Sequence, residues 1–339
     1  MRLACPAIVL CGLCLSALAA AQSSAPAPVP VPVPTPAPYT AETTYAKLIK
    51  KYPFIRIAGS ELPASVRAVR DITYIQRGGH ALQLDLYLPA QKASAPPQSK
   101  IPAVVFVHGG GWQSGNRAEF VPMAIRLAER GFATATVSYR LSPEARYPAA
   151  IHDVKSALRW VRAHAGEYGI DPARIAVAGG SAGGQIASLV GVTNGVDKFD
   201  PDGAGSTVSS AAQAIVNIDG LSDFTSPAAR ENEDNPAKRP TAAGSWLGGS
   251  YADVPDTWRE ASPTFYVSAK TPPILFIGSA QPRFAVGREA MIEKMASQGV
   301  AAQTVLLPET PHSFWLFDPW LGPTVEATVA FLGVHMPAR

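Results

Sequence analysis

Five consecutive apolar residues, Ala103-Val104-Val105-Phe106-Val107, run without a polar break into His108-Gly109-Gly110-Gly111-Trp112. A strand with one wet face alternates apolar and polar side chains, so a run lacking that alternation needs cover on both faces. The same character recurs at Ala133–Ser138, Ile175–Ala178, Ala214–Ile218 and Ile274–Ile277. Further strands are expected at Ile72–Gln76, Leu82–Leu88 and Gln303–Leu307, the first two able to pair as a hairpin through Arg77-Gly78-Gly79. Helical patterns fall between them, at about Phe120–Arg130, Ala149–Ala165, Gly183–Val192, Gly287–Gln298 and Pro323–His335. Pro-rich and Gly-rich breaks such as Thr271-Pro272-Pro273 separate the elements. Strands that begin antiparallel and continue as βα units predict an α/β fold: an eight-stranded, mostly parallel sheet with helices on both faces. The segment Ser222–Ser262 is less regular and is expected to form a lid or cap.

The first residues read differently. Met1-Arg2, an apolar run to Leu18 and the small residues Ala17, Ala19 and Ala21 describe a secretory signal peptide over residues 1–21, which predicts a periplasmic or secreted protein. A retained anchor is the alternative, but the run is short and lacks a basic stop-transfer flank. All three cysteines, Cys5, Cys11 and Cys14, lie in that leader, so the mature chain is expected to hold no disulfide, no thiol nucleophile and no Cys-ligated zinc. Prolines at every second position from 26 to 38 predict an extended polyproline tether over residues 22–44. From residue 45 to 339 the chain reads as one catalytic-type domain with no second linker and no repeat. Twenty-nine basic against 26 acidic residues, with no run of like charges, gives a nucleic-acid partner no support. No membrane association is expected once the leader is removed.

Three sites on this scaffold point to one chemistry. Gly179-Gly180-Ser181-Ala182-Gly183-Gly184 follows a strand and opens a helix, the context in which G-x-S-x-G is a nucleophile elbow. The glycines do not fit a dinucleotide fingerprint, and Gln185-Ile186 lacks the Lys-Ser/Thr pair of a phosphate loop. About 70 residues earlier, His108-Gly109-Gly110-Gly111 ends a strand with backbone amides free of Cβ obstruction. Gly110, Gly111 and Ala182 are the expected oxyanion-hole donors, with His108 holding the loop rather than moving protons. Of six histidines, His312 alone lies in a loop at the carboxyl end of a late strand, where a general base is wanted. His152 and His164 fall in a helical pattern and read as surface or packing residues.

These motifs, with Ser138-Tyr139-Arg140-Leu141, Tyr147-Pro148-Ala149, Asp171-Pro172-Ala173-Arg174-Ile175 and Pro311-His312, make residues 65–335 similar to a known group. The chain resembles α/β-hydrolases of the hormone-sensitive-lipase-like and carbohydrate-esterase-like kind, close to bacterial feruloyl, acetylxylan and pectin acetyl esterases. The resemblance implies the α/β-hydrolase fold, a Ser–acid–His triad, no metal or other cofactor, and hydrolysis of carboxylic esters. One position departs from the pattern. Commoner members carry the acid in a Gly-x-x-Asp-Pro segment, and here Gly278-Ser279-Ala280-Gln281-Pro282 puts a neutral amide there. Some hydrolases of this fold carry the acid one strand earlier, which makes Asp219 the first candidate, Glu309 the second and Asp223 the third.

The expected substrates are short acyl esters, acetyl among them, on plant cell-wall polysaccharide. Phe314, Trp315, Phe317, Trp320, Trp246 and Trp258 are candidates for a sugar-stacking wall and equally for core. A small-molecule esterase or lipase, a serine peptidase of the same fold and a non-catalytic binding protein remain the alternatives. Only about 25 residues separate the tether from the first strand, too few for a peptidase's extra propeller domain.

Overall fold

Val104 and Phe106 point to one side of the central sheet and Ala103, Val105 and Val107 to the other, and all five are buried in the computed structural model. The structure describes Met1 and residues 38–90 and 100–337. The expected signal peptide, apart from Met1, and the tether up to residue 37 lie outside the described residues.

The strands are β1 (Arg56–Ile57), β2 (Val66–Arg77), β3 (His80–Pro89), β4 (Ile101–Val107), β5 (Ala133–Val137), β6 (Ile170–Gly180), β7 (Ala214–Ile218), β8 (Ile274–Gly278), β9 (Ala302–Leu306) and β10 (Phe317–Asp318). Eight of them form one sheet in the order β2-β3-β5-β4-β6-β7-β8-β9. β3 is antiparallel to both its neighbours, and every pairing from β5 to β9 is parallel. The hairpin closes as expected: Arg77 pairs with His80 across Gly78 (φ 53°) and Gly79 (φ 88°), the two positive-φ residues that match strand twist. The small pair β1–β10, which joins residues more than 250 apart, was not foreseen.

The helices are α1 (Ala41–Leu48), α2 (Val121–Glu129), α3 (Ala149–Ala163), α4 (Ala165–Tyr168), α5 (Ala182–Val192), α6 (Pro227–Glu233), α7 (Ala242–Leu247), α8 (Pro255–Glu260), α9 (Arg288–Ser297) and α10 (Leu321–His335). Apolar residues of α3, α5 and α9 cover one face of the sheet, and those of α2 and α10 the other. The side chains of residues 103–107 in β4 and 175–178 in β6 are therefore covered whichever way they point, so polar alternation has no place there. Fully burying one such Val or Ile contributes about 1.5–3 kcal/mol.

One expectation needs correction. The tether does not extend to residue 44: α1 starts at Ala41, because Thr40 Oγ1 accepts from Thr43 N–H (3.2 Å) while Thr43 Oγ1 accepts from Thr40 N–H (3.0 Å). This reciprocal cap satisfies two amides and ends the extended run. Of the two roles left open for the late aromatics, a sugar-stacking wall or core, the structure gives core for five of the six. Trp246, Trp258, Phe314, Trp315 and Phe317 are all buried in the core, where their large apolar area gains most from leaving water. Trp320 packs edge-on against Tyr52 and Phe54, with centroids 5.4 and 5.7 Å away.

Candidate active site

Ser181 stands at the β6–α5 turn with φ 55° and ψ −123°, a backbone conformation that is costly for a residue with a Cβ. What holds it there is close packing behind the turn. A Cβ on Gly179 would lie 2.3 Å from the Gly183 carbonyl oxygen, and one on Gly183 would lie 2.1 Å from that of Val107. The Ser181 N–H donates to Ile218 O at the end of β7 (2.8 Å), which ties the bend to the neighbouring strand. Ala182 opens α5, so its N–H has no intrahelical acceptor.

The β4–α2 loop approaches from the other side. Gly110 adopts φ 103°, and a Cβ there would meet Ser114 O at 2.1 Å. Among the described residues, the N–H groups of Gly110 and Gly111 have no protein acceptor. His108 does not point at chemistry. Its buried Nδ1–H donates to Gly109 O (2.8 Å), its ring stacks on Tyr139 at 4.2 Å, and burial pushes its pKa down to about 4. The Tyr139 hydroxyl donates to His108 O (3.0 Å), fixing the loop further.

His312, in the loop between β9 and β10, brings the parts together. Ser181 Oγ lies 2.8 Å from His312 Nε2, and His312 Nδ1 lies 3.0 Å from Asp219 Oδ2. The second Asp219 oxygen, Oδ1, accepts from Ser279 N–H (2.7 Å). With Nδ1–H donated to the carboxylate, Nε2 is left as the acceptor for the serine hydroxyl. Phe284 stacks on the imidazole with centroids 3.4 Å apart, and Trp315 meets its edge at 5.4 Å and 88°. Burial lowers the His312 pKa, opposed by the hydrogen bond and charge of Asp219. The imidazole is thus held neutral, ready to take a proton.

Asp219 itself sits at φ 52° just beyond β7, with its N–H donating to Ile277 O (3.0 Å). Asn217 shapes that turn: its Oδ1 accepts from Gly220 N–H (2.7 Å) and its amide donates to Ser188 Oγ (2.7 Å). The other two carboxylate candidates stand elsewhere. Glu309 is exposed and makes no hydrogen bond or ion pair with His312; its residue turns the chain at φ 58°. Asp223 accepts from Thr225 N–H and Oγ1 at 2.7 and 2.8 Å, a local turn. Gln281 only precedes the single helical turn Pro282–Ala285, without a side-chain cap, and its N–H donates to Ser279 Oγ (3.1 Å).

A cavity of about 120 Å³ opens in front of Ser181, lined among others by Gly111, Trp112, Leu221 and Ala242. At its rim Arg283 pairs with Glu233 (3.2 Å), so α6 of the irregular segment does contribute to the site. Sequence reasoning missed Asn217, Ser279, Arg283 and Phe284, none of which belongs to a local motif.

The chain matches the BD-FAE family over residues 84–284, well over half its length. It belongs to that α/β-hydrolase family. It is also 30% identical over 266 residues to esterase LipQ of Mycobacterium tuberculosis, covering 76% of this chain and 60% of LipQ. The chain therefore spans less than two thirds of that relative. Among solved structures it is similar to a bifunctional GH43-CE protein of Bacteroides eggerthii (TM-score 0.64, 26% identity, 79% of this chain and 38% of that one). It is likewise similar to Thermogutta terrifontis esterase 2 phosphonylated by cyclosarin (TM-score 0.63, 27% identity, 82% and 96%). The propionate-bound form of the same esterase matches with TM-score 0.62 and 26% identity, over 81% and 95%.

Proposed function

We propose that this BD-FAE family member is an exported serine esterase that releases short acyl groups from polysaccharide. The observation that carries the reading is the chain of contacts from Ser181 Oγ through His312 to Asp219, at 2.8 and 3.0 Å. His312 Nε2 takes the hydroxyl proton as Ser181 Oγ attacks the ester carbonyl. The amides of Gly110, Gly111 and Ala182 receive the negative charge that develops on the carbonyl oxygen. His312 then returns the proton to the departing alcohol, and water releases the acyl group by the reverse steps. Asp219 orients the imidazole and stabilises it while it is charged. Each backbone donor to the oxyanion is worth about 3–4 kcal/mol of barrier.

Size and polarity support the substrate class. A cavity of about 120 Å³ suits a short acyl chain, in keeping with a relative that binds propionate. The Arg283–Glu233 pair at the rim offers donors and acceptors to sugar hydroxyls, and the Bacteroides eggerthii neighbour has GH43-CE in its name. Export follows from the leader expected over residues 1–21.

With p-nitrophenyl esters, kcat/KM should hold from acetate to butyrate and fall at least about tenfold by octanoate. Forcing extra methylenes into a space already filled costs roughly 1–3 kcal/mol. Release of acetate from acetylated xylan and pectin, measured beside ferulate release from arabinoxylan, completes the test. Turnover of octanoate at the acetate rate, or polymer release no faster than from a simple alkyl acetate, would remove the substrate assignment. Failure of a fluorophosphonate to label Ser181 would remove the esterase itself.

A further inference from the structure

Behind the site lies a carboxylate that none of the steps above uses. Glu119 belongs to the single helical turn Arg117–Phe120 that leads into α2, a turn capped by Asn116 Oδ1 accepting from Ala118 N–H (2.9 Å). Its Oε2 accepts from Gly109 N–H (2.8 Å) and its Oε1 from the Trp315 indole N–H (3.0 Å). Gly109 directly precedes Gly110 and Gly111, the proposed oxyanion donors. Trp315 bears on the edge of the His312 ring, and a Cβ on Gly180 would lie 2.6 Å from its Cζ2, so the indole also backs the elbow.

We infer that Glu119 is a positioning residue for the esterase centre: one carboxylate sets the oxyanion loop through Gly109 and the imidazole through Trp315. The inference rests on the esterase reading and extends it. Both groups that Glu119 holds must be right at the same moment, since the oxyanion forms as His312 becomes charged. A single rigid acceptor between the two donors couples their positions. A glutamine of the same shape cannot replace it, because it accepts at one end only and turns an N–H toward the other donor. Displacing a preorganised donor loop by a fraction of an ångström weakens contacts made in the transition state more than those made to bound substrate.

Burial pushes the Glu119 carboxyl up to about 8, against the pull of its two donors. A carboxyl whose pKa is higher folded than unfolded costs the fold stability as pH rises from the unfolded value through the folded one. Keeping Glu119 ionised for its two donors therefore carries a stability cost above its unfolded value.

The test is Glu119→Gln, with Glu119→Asp as a second variant that draws the carboxylate back from both donors. For p-nitrophenyl acetate, kcat should fall ~10–100-fold with KM within about threefold, the signature of an interaction made in the transition state. Affinity for a short trifluoromethyl ketone, which forms a tetrahedral adduct on serine, should weaken in step with kcat/KM, while butyrate inhibition stays put. Wild-type kcat in either folded variant overturns the inference. So does a loss of kcat matched by loss of butyrate binding and a lowered melting temperature, which would mark general loosening. An inactive wild type would instead sink the esterase reading, and this inference with it.

Discussion

Replacing Ser181 with alanine should lower the turnover of p-nitrophenyl acetate by ~10⁶-fold, to the level left by oxyanion donors and binding alone. The substitution removes one oxygen from a position whose backbone is set by Gly179, Gly183 and Ile218 rather than by the side chain. The folded state should survive it, with an unchanged circular dichroism spectrum and a melting temperature equal to or above that of the wild type. Alanine at φ 55° is no more strained than serine, and a neutral imidazole that loses the hydroxyl keeps its bond to Asp219. Labelling by a fluorophosphonate should vanish together with turnover. Retained hydrolysis in the pure, folded variant would mean that another group attacks the ester.

Asp219→Asn should cost ~10⁴-fold in kcat with little change in KM. An amide at this position keeps its oxygen for Ser279 N–H but presents N–H₂ to His312 Nδ1, which favours the tautomer with the proton on Nε2. Nε2 then cannot accept from Ser181. The charge that would steady the imidazolium is also gone. Glu309→Gln should change kcat less than about twofold, since that side chain is exposed and away from the relay. The pH profile gives an independent reading. Burial lowers the His312 pKa and Asp219 opposes that, so removing the charge should move the acid limb of the residual kcat/KM to still lower pH. An acid limb displaced upward, or a larger loss from Glu309→Gln, would contradict the assignment of Asp219.

The parts of the fold that were legible in the sequence are those fixed by short-range chemistry. Residues 103–107 lack alternation because both faces of β4 are covered, and Gly78-Gly79 closes a hairpin because both need positive φ. Gly179 and Gly183 announce the elbow because no Cβ fits between them. What stayed hidden depends on groups far apart in the chain. Three carboxylates near strand ends, Asp219, Glu309 and Asp223, could be ranked in the sequence but not decided between, because Ile277 O and Ser279 N–H, both beyond β7, aim Asp219 at the imidazole. The indoles of residues 246, 258 and 315 carry the same local pattern whether they face sugar or core, and packing alone decides. Glu119 belongs to no local motif; its two donors come from residues 109 and 315.

The capped turn at Thr40 has a practical side. Just ahead of it, the Tyr39 hydroxyl lies 2.8 Å from Ser313 Oγ, the neighbour of His312 in sequence. The folded domain therefore starts no later than this tyrosine. A recombinant version trimmed to residue 45 would leave that serine without its phenol, whereas a purification handle or solid support joined upstream, within the proline run, would leave the contact intact.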